Sequence, residues 1–396
     1  MSRSFLDMEN HERKPKFMIY LDNAATTRTA LGVVEAMLPY FSEYYGNAGS
    51  IYGLGSKSKR ALITARETIA MTLGAQANEI YFTAGGTESD NWALKAVYES
   101  CRSKGCHIIT SKIEHHAVLH SCKYLEAHGA QITYLDVDQD GLISLEQLKR
   151  AIRPDTILIS IMFANNEIGT IEPVEEIGKI AREHGILFHT DAVQAYGHLP
   201  IAVDKMHIDL LSASGHKFHG PKGTGFLYVN GRTKLSALIH GGQQERGRRA
   251  GTENVPGIVG LAAAAGQAAL CMEERAETES RMRDYLIERI QEKIPGAQLT
   301  GHKKMRLPGH ASFCFAGIQG ESALIMLDMQ GICASSGSAC TSGDPGPSHV
   351  LLAAGIPEET ARGSLRFTLS EENTVEELDV VVEALAGIVE KLQRRI

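Results

Sequence analysis

Between residues 79 and 229 the chain alternates short apolar runs with segments of helical periodicity, and this alternation constrains the fold more than any other feature. The runs fall at 79–83, 107–111, 131–135, 156–162, 186–189, 210–213 and 225–229. Strands that alternate with helices build a mainly parallel α/β sheet, because the crossover helices must cover its faces. Most of the runs end in a cluster of polar residues or glycines. In open α/β sheets ligands bind beyond the carboxyl ends of the strands, so the chemistry is expected there.

Residues 272–294 read as a long charged helix, rich in Glu and Arg with Leu and Ile at helical intervals. We expect it to be the hinge between a large domain, residues 18–271, and a smaller α/β domain, residues 272–396. The smaller domain carries a strand at 311–315, an amphipathic stretch at 322–329, a loop around Cys340, a strand at 365–369 and a final helix. The N-terminal segment 1–26 is expected to pack with it through the apolar residues 18–21. A chain of 396 residues is long enough for one sizeable core and a second, smaller one.

The formal net charge of -7 argues against a general binder of nucleic acid or anionic membranes. No uninterrupted apolar run suggests a membrane span, and the first residues mix acids and bases without the apolar stretch of a secretory signal. The 7 cysteines are odd in number and lack paired spacing, which fits reduced thiols in a cytoplasm.

The chemistry-bearing residues follow the strands. Lys217, in Ser214-Gly215-His216-Lys217, comes 26 positions after Asp191, in Asp191-Ala192-Val193-Gln194. A lysine can form a Schiff base to an aldehyde, and an aspartate can keep a pyridine nitrogen protonated. Together they suit pyridoxal 5'-phosphate. Alone, each has a plain reading: a solvated surface lysine, or an aspartate capping a helix. Ser214 and His216 can donate to phosphate oxygens, and the conjunction of the four is what points to the cofactor.

Other runs are read in the same way. Gly85-Gly86-Thr87-Glu88-Ser89 joins a strand to a helix and is either a phosphate cradle or an ordinary glycine turn. His115 follows a strand and can stack on a ring and exchange protons, although any one of 16 histidines can equally be structural. Asn166 follows the apolar run 156–162 and can bond a cofactor oxygen or a carboxylate, or merely shape a turn. The basic, glycine-rich stretch 240–254, with Arg249 and Thr252, favours a local phosphate or carboxylate contact. Arg366 is a candidate bidentate clamp for a substrate carboxylate, or a structural ion pair. Cys340 sits among Ser, Gly and Thr residues, a setting that favours an exposed thiol over a buried one.

These runs, with Tyr20-Leu21-Asp22-Asn23-Ala24-Ala25-Thr26-Thr27 and Asn165-Asn166-Glu167-Ile168-Gly169, occur in an order that resembles the NifS/IscS-like cysteine desulfurases. Those enzymes belong to the class-V aminotransferase family of fold-type I pyridoxal-phosphate enzymes. The resemblance runs from about residue 18 to the end, and the ordered set is far more specific than any single run. It implies that Lys217 holds the cofactor, Asp191 pairs with its ring nitrogen and Gln194 bonds its phenolic oxygen. It implies further that His115 stacks on the ring, and that Gly86, Thr87, Ser214 and His216 hold the phosphate. Asn166 would contact the cofactor or the carboxylate of the L-cysteine substrate, Arg366 would bind that carboxylate, and Thr252 would reach the phosphate of the partner subunit in a homodimer. Cys340 would take the sulfur as a persulfide and pass it to an acceptor, an iron–sulfur scaffold or a thiolation enzyme. The alternative is a selenocysteine lyase or an aminotransferase on the same scaffold. A noncatalytic sulfur-binding protein would leave Lys217 without a purpose.

Overall fold

The computed structural model describes residues 18–336 and 346–394. Its central sheet has seven strands: β2 (Ile80–Thr83), β3 (His107–Ser111), β4 (Gln131–Leu135), β5 (Thr156–Ser160), β6 (Leu187–Asp191), β7 (Leu210–Ser214) and β8 (Gly225–Val229). The short strand β1 (Ile19–Tyr20) precedes them and belongs to the second core. The order across the sheet is β2-β8-β7-β6-β5-β3-β4. β3, β5, β7 and β8 are buried along their whole length, which suits a sheet covered on both faces.

β8 runs antiparallel to both of its neighbours, and the other six strands point one way. The cause is local. The connection from β7 to β8 is short and holds only a single 3-10 turn, Gly215–Lys217, so it cannot make the crossover that a parallel strand requires. The same short return leaves Lys217 at the carboxyl end of β7.

A second, antiparallel sheet has the order β12-β10-β9, with β9 (Gln298–Leu299), β10 (His310–Cys314) and β12 (Ser364–Thr368). β1 pairs in parallel with β11 (Ile332–Cys333), so the segment after residue 18 returns to this half of the molecule. Ile19 and Leu21 are buried there with Phe313, Phe367 and Leu385. The final helix, Val375–Gln393, starts on a capping box in which Thr374 and Glu377 satisfy each other's backbone amides.

The charged helix expected at 272–294 is the second half of a continuous helix, Val255–Lys293. Asn254 caps it, and Val255, Ile258, Leu261 and Ala265 enter the core under the central sheet. Met282, Leu286 and Ile290 enter the other core. One 18-residue window of this helix is apolar enough to cross a membrane by length and composition alone, but half of that window is buried within the fold.

Candidate active site

A cavity of about 810 Å³ opens beyond the carboxyl ends of β2, β3, β5, β6 and β7. Gly86, Thr87, His115, Asn166, Asp191, Gln194, Ser214, His216 and Lys217 all line it, as do Ala24 and Thr26 from the N-terminal segment. Nine of the twelve residues singled out from the sequence therefore meet in one place. The remaining three are Arg366, Thr252 and Cys340.

One end of the cavity is built for an anion. Helix Gly86–Cys101 begins there with no side chain capping its first turn, so its free amide hydrogens face the space. Gly85, at φ 148°, makes the turn that aims them. A Cβ on Gly86 would come within 2.4 Å of Val193 Cγ2, so the close approach of this turn to the end of β6 favours glycine. His216 Nδ1 and Thr26 Oγ1 are 3.1 Å apart, which orients the imidazole. Burial and the charges of Lys217 and Lys222 push the His216 imidazole down to about 4, so it is neutral near pH 7.

Lys217 Nζ donates to the carbonyls of Ala24 (2.7 Å) and Ala25 (2.8 Å), and Gln194 Nε2 donates to Ala24 O at 2.9 Å. The run Asn23-Ala24-Ala25-Thr26 is thus a backbone rest for the amine. Thr27 secures it by donating to His216 O and accepting from His219 N, at 2.9 and 2.8 Å.

Opposite the amine, Asp191 is the last residue of β6, and its Oδ1 accepts from the Val193 amide at 2.9 Å. Burial raises its carboxyl to about 6, against the opposing pull of that amide and of Lys217. Asp90, His115 and Asp191 each offer a ligand-type atom within 4.8 Å of the others. The Asp90 carboxyl is fully buried and pushed far above the ordinary range, first by burial and then by the charge of Asp191. Its Oδ1 has no hydrogen-bond partner among the described residues. His115 caps helix His116–Ala127, its Nδ1 accepting from the Ala117 amide at 3.1 Å, which leaves the proton of the neutral ring on Nε2. Burial and then Lys217 hold this imidazole down to about 4.

Arg366 does not line the cavity. Its guanidinium is 0% exposed and is held by Asp22 Oδ1 (2.9 Å) and the Asn166 carbonyl (2.8 Å), directly behind the cavity wall. The ion-pair reading is the arrangement seen, and it leaves Nε without a partner among the described residues. Thr252 is exposed and lines a separate recess that shares Ala84 and Gly223 with the main cavity. The arginines near it are engaged: Arg249 forks onto Glu88, Arg248 donates to Tyr81 Oη, and Arg246 stacks on the Tyr81 ring at 3.9 Å.

Cys340 lies outside the described residues. The chain on either side is fixed beside the site. Ser335 pairs through its backbone with Arg366, at 3.1 and 2.7 Å, and the Ser348 hydroxyl donates to the buried Glu167 carboxylate.

Asp90, Thr26 and Lys222 also line the cavity and were not foreseen. Asp90 could have been found from spacing, since it stands one helical turn beyond Gly86 and shares its face. Thr26 and Lys222 reach the site only through tertiary contacts.

The donor set fits pyridoxal phosphate. It offers a buried carboxylate for a cationic ring nitrogen, a lysine amine and a neutral imidazole on the wall of the same cavity, and free helix amides for the phosphate.

The description of the aminotransferase class-V family matches residues 19–381. A cysteine desulfurase IscS of Methanosarcina thermophila is 56% identical over 375 residues, covering 95% of this chain and 93% of that protein. A cysteine desulfurase of a Nostoc species is 48% identical over 376 residues, covering 95% and 94%. A solved NifS-like protein superposes with a TM-score of 0.89 at 39% identity, over 95% of this chain and 100% of its own. A structure of SspA in complex with cysteine superposes at 0.79 with 40% identity, over 90% and 100%.

Proposed function

The chain belongs to the class-V aminotransferase family and within it to the cysteine desulfurases, and from that premise we propose how its residues hold pyridoxal 5'-phosphate and take sulfur from L-cysteine. The observation that carries the reading is the placement of the Lys217 amine and the buried Asp191 carboxyl in one cavity, with uncapped helix amides at its end. When bound, the cofactor supplies an electron sink, because its protonated ring accepts the electron pair freed at the substrate Cα.

Asp191 pairs with the ring nitrogen and keeps it protonated; the cationic ring in turn relieves the cost of burying that carboxylate. Gln194 bonds the phenolic oxygen. The amides of Gly86 and Thr87, with Ser214 and His216, hold the phosphate. Lys217 would hold the cofactor aldehyde, and its Nζ would carry a proton to and from the substrate Cα. His115 stacks on the ring and, with Nδ1 held by the Ala117 amide, offers its Nε2 proton to the substrate as a donor. Asn166 and Arg366 bind the substrate carboxylate, with Asp22 giving up its hold on Arg366 as the substrate enters.

Cys340 completes the reaction. Its thiolate attacks the substrate sulfur, the Cβ–S bond breaks, and a Cys340 persulfide forms. The electron pair left on Cβ takes a proton and the product leaves as L-alanine. One L-cysteine and one thiol become one alanine and one persulfide, with no outside oxidant. The fixed positions of Ser335 and Ser348 support this role, because they tie both flanks of residue 340 to groups that touch Asn166 or Glu167.

The persulfide then donates to an acceptor protein, an iron–sulfur scaffold or a thiolation enzyme. Thr252 faces outward beside the cavity wall, where it can serve the phosphate of a second copy in a homodimer. The test is alanine formation from L-cysteine with a thiol reductant, comparing the parent with Cys340→Ala. Alanine from the parent and almost none from the variant is the expected result. Equal amounts from both would remove Cys340 from the mechanism.

A further inference from the structure

Three imidazoles gather on the outer side of His115, and none of them lines the cavity. His116 and His120 stand one turn apart on helix His116–Ala127, with ring centroids 5.1 Å from each other. His349 opens helix His349–Ala353, and its ring centroid is 4.7 Å from that of His116. Two histidines at i and i+4 on one helix face, met by a third from another segment, is a spacing that assembles a three-nitrogen set for a borderline divalent cation.

The hydrogen bonding of His349 has the polarity such a ligand needs. Its Nε2 lies 3.1 Å from the Glu114 carbonyl, which can only accept, so the proton resides on Nε2 and the lone pair on Nδ1. An outer bond of this kind to a backbone carbonyl fixes both the tautomer and the ring direction of metal-bound histidines. Burial also favours the uncharged form of His349, as binding requires. His120 is exposed, which gives an ion a route from solvent.

We propose that His116, His120 and His349 bind a divalent cation of the zinc class, with water completing the tetrahedron. The centroid separations of 5.1 and 4.7 Å place the rings side by side, and a rotamer change turns their nitrogens onto one ion. His120, at the surface, has the freedom to make it. The bound ion ties helix His116–Ala127 to helix His349–Ala353. It also places positive charge beside His115, whose ring centroid is 6.3 Å from that of His116.

The experiment is calorimetric titration of the metal-stripped, cofactor-loaded protein with zinc chloride, repeated on His120→Ala, His349→Ala and Cys340→Ala. Binding is read without turnover, so the result does not depend on the desulfurase mechanism. One equivalent bound by the parent and by Cys340→Ala, weakened more than about tenfold in each histidine variant, is the expected result. No stoichiometric binding, binding that survives both histidine changes, or binding lost only with Cys340 would overturn the site. Because His120 is exposed, its substitution tests the site without endangering the fold.

Discussion

Asp90 and Asp191 present carboxyl oxygens within 4.8 Å of each other, both in buried surroundings. Two such groups cannot both ionise, and the one with the better donors ionises first. Asp191 has the Val193 amide and the charge of Lys217, whereas Asp90 has the Ser212 hydroxyl alone, and its Oδ1 takes no hydrogen bond among the described residues. Asp191 is therefore the anion and Asp90 the neutral acid near pH 7. Asp90→Asn, which keeps a neutral group in place, should retain activity within about tenfold of the parent. Asp191→Asn removes a buried charge partner worth about 3–5 kcal/mol and should lower kcat/KM by roughly 10²–10⁴-fold. Cofactor affinity of the cofactor-free protein should fall as the pH drops through about 6, where Asp191 takes up a proton. Similar losses in the two variants would reverse the assignment.

Lys217 should be the single point of covalent attachment for the cofactor. Borohydride treatment of the parent, followed by unfolding, should leave one cofactor per chain bound to a peptide that contains Lys217. Lys217→Ala should release all of its cofactor under the same treatment and form no alanine from L-cysteine. Cofactor fixed at another lysine in the variant would move the site.

Arg366→Lys tests the substrate clamp. A lysine keeps the charge but loses the planar fork that now spans Asp22 and the Asn166 carbonyl. Hydrogen bonds to charged groups contribute about 1.5–3 kcal/mol, so kcat/KM for L-cysteine should fall by roughly 10–10²-fold. The loss should appear in KM, with the cofactor spectrum unchanged. A fall in thermal stability with an unchanged KM would make Arg366 purely structural.

These predictions rest on residues that were unevenly legible in the sequence. The seven strands could be read because each is a short apolar run closed by polar residues, and Lys217, Asp191 and His115 follow three of those closures. The direction of β8 was a matter of connection length, which periodicity does not report. The start of helix Val255–Lys293 was hidden because its first half is rich in alanine and glycine and lacks the charge pattern that marks its second half. Asp90 stands one helical turn beyond Gly86, so its face was legible in the spacing, but its approach to Asp191 comes from the fold. The arginines of 246–249 looked available because the sequence cannot display Tyr81 and Glu88 beside them.

Glu172 gives a pH-dependent stability with a definite sign. Burial raises its carboxyl from the ordinary 4.5 to about 8, even though the Ile143 amide donates to Oε2 at 3.2 Å. Between those two values the folded state holds a proton that the unfolded chain has released. This contribution to stability is therefore fully present below about 4.5 and is lost as the pH rises through about 8. Glu172→Gln keeps an acceptor for Ile143 and cannot ionise. Its stability relative to the parent should increase between pH 5 and pH 8.5, by on the order of 1–3 kcal/mol. Urea unfolding at the two pH values measures the difference directly. A gap between variant and parent that does not change with pH would show that Glu172 is not the titrating group.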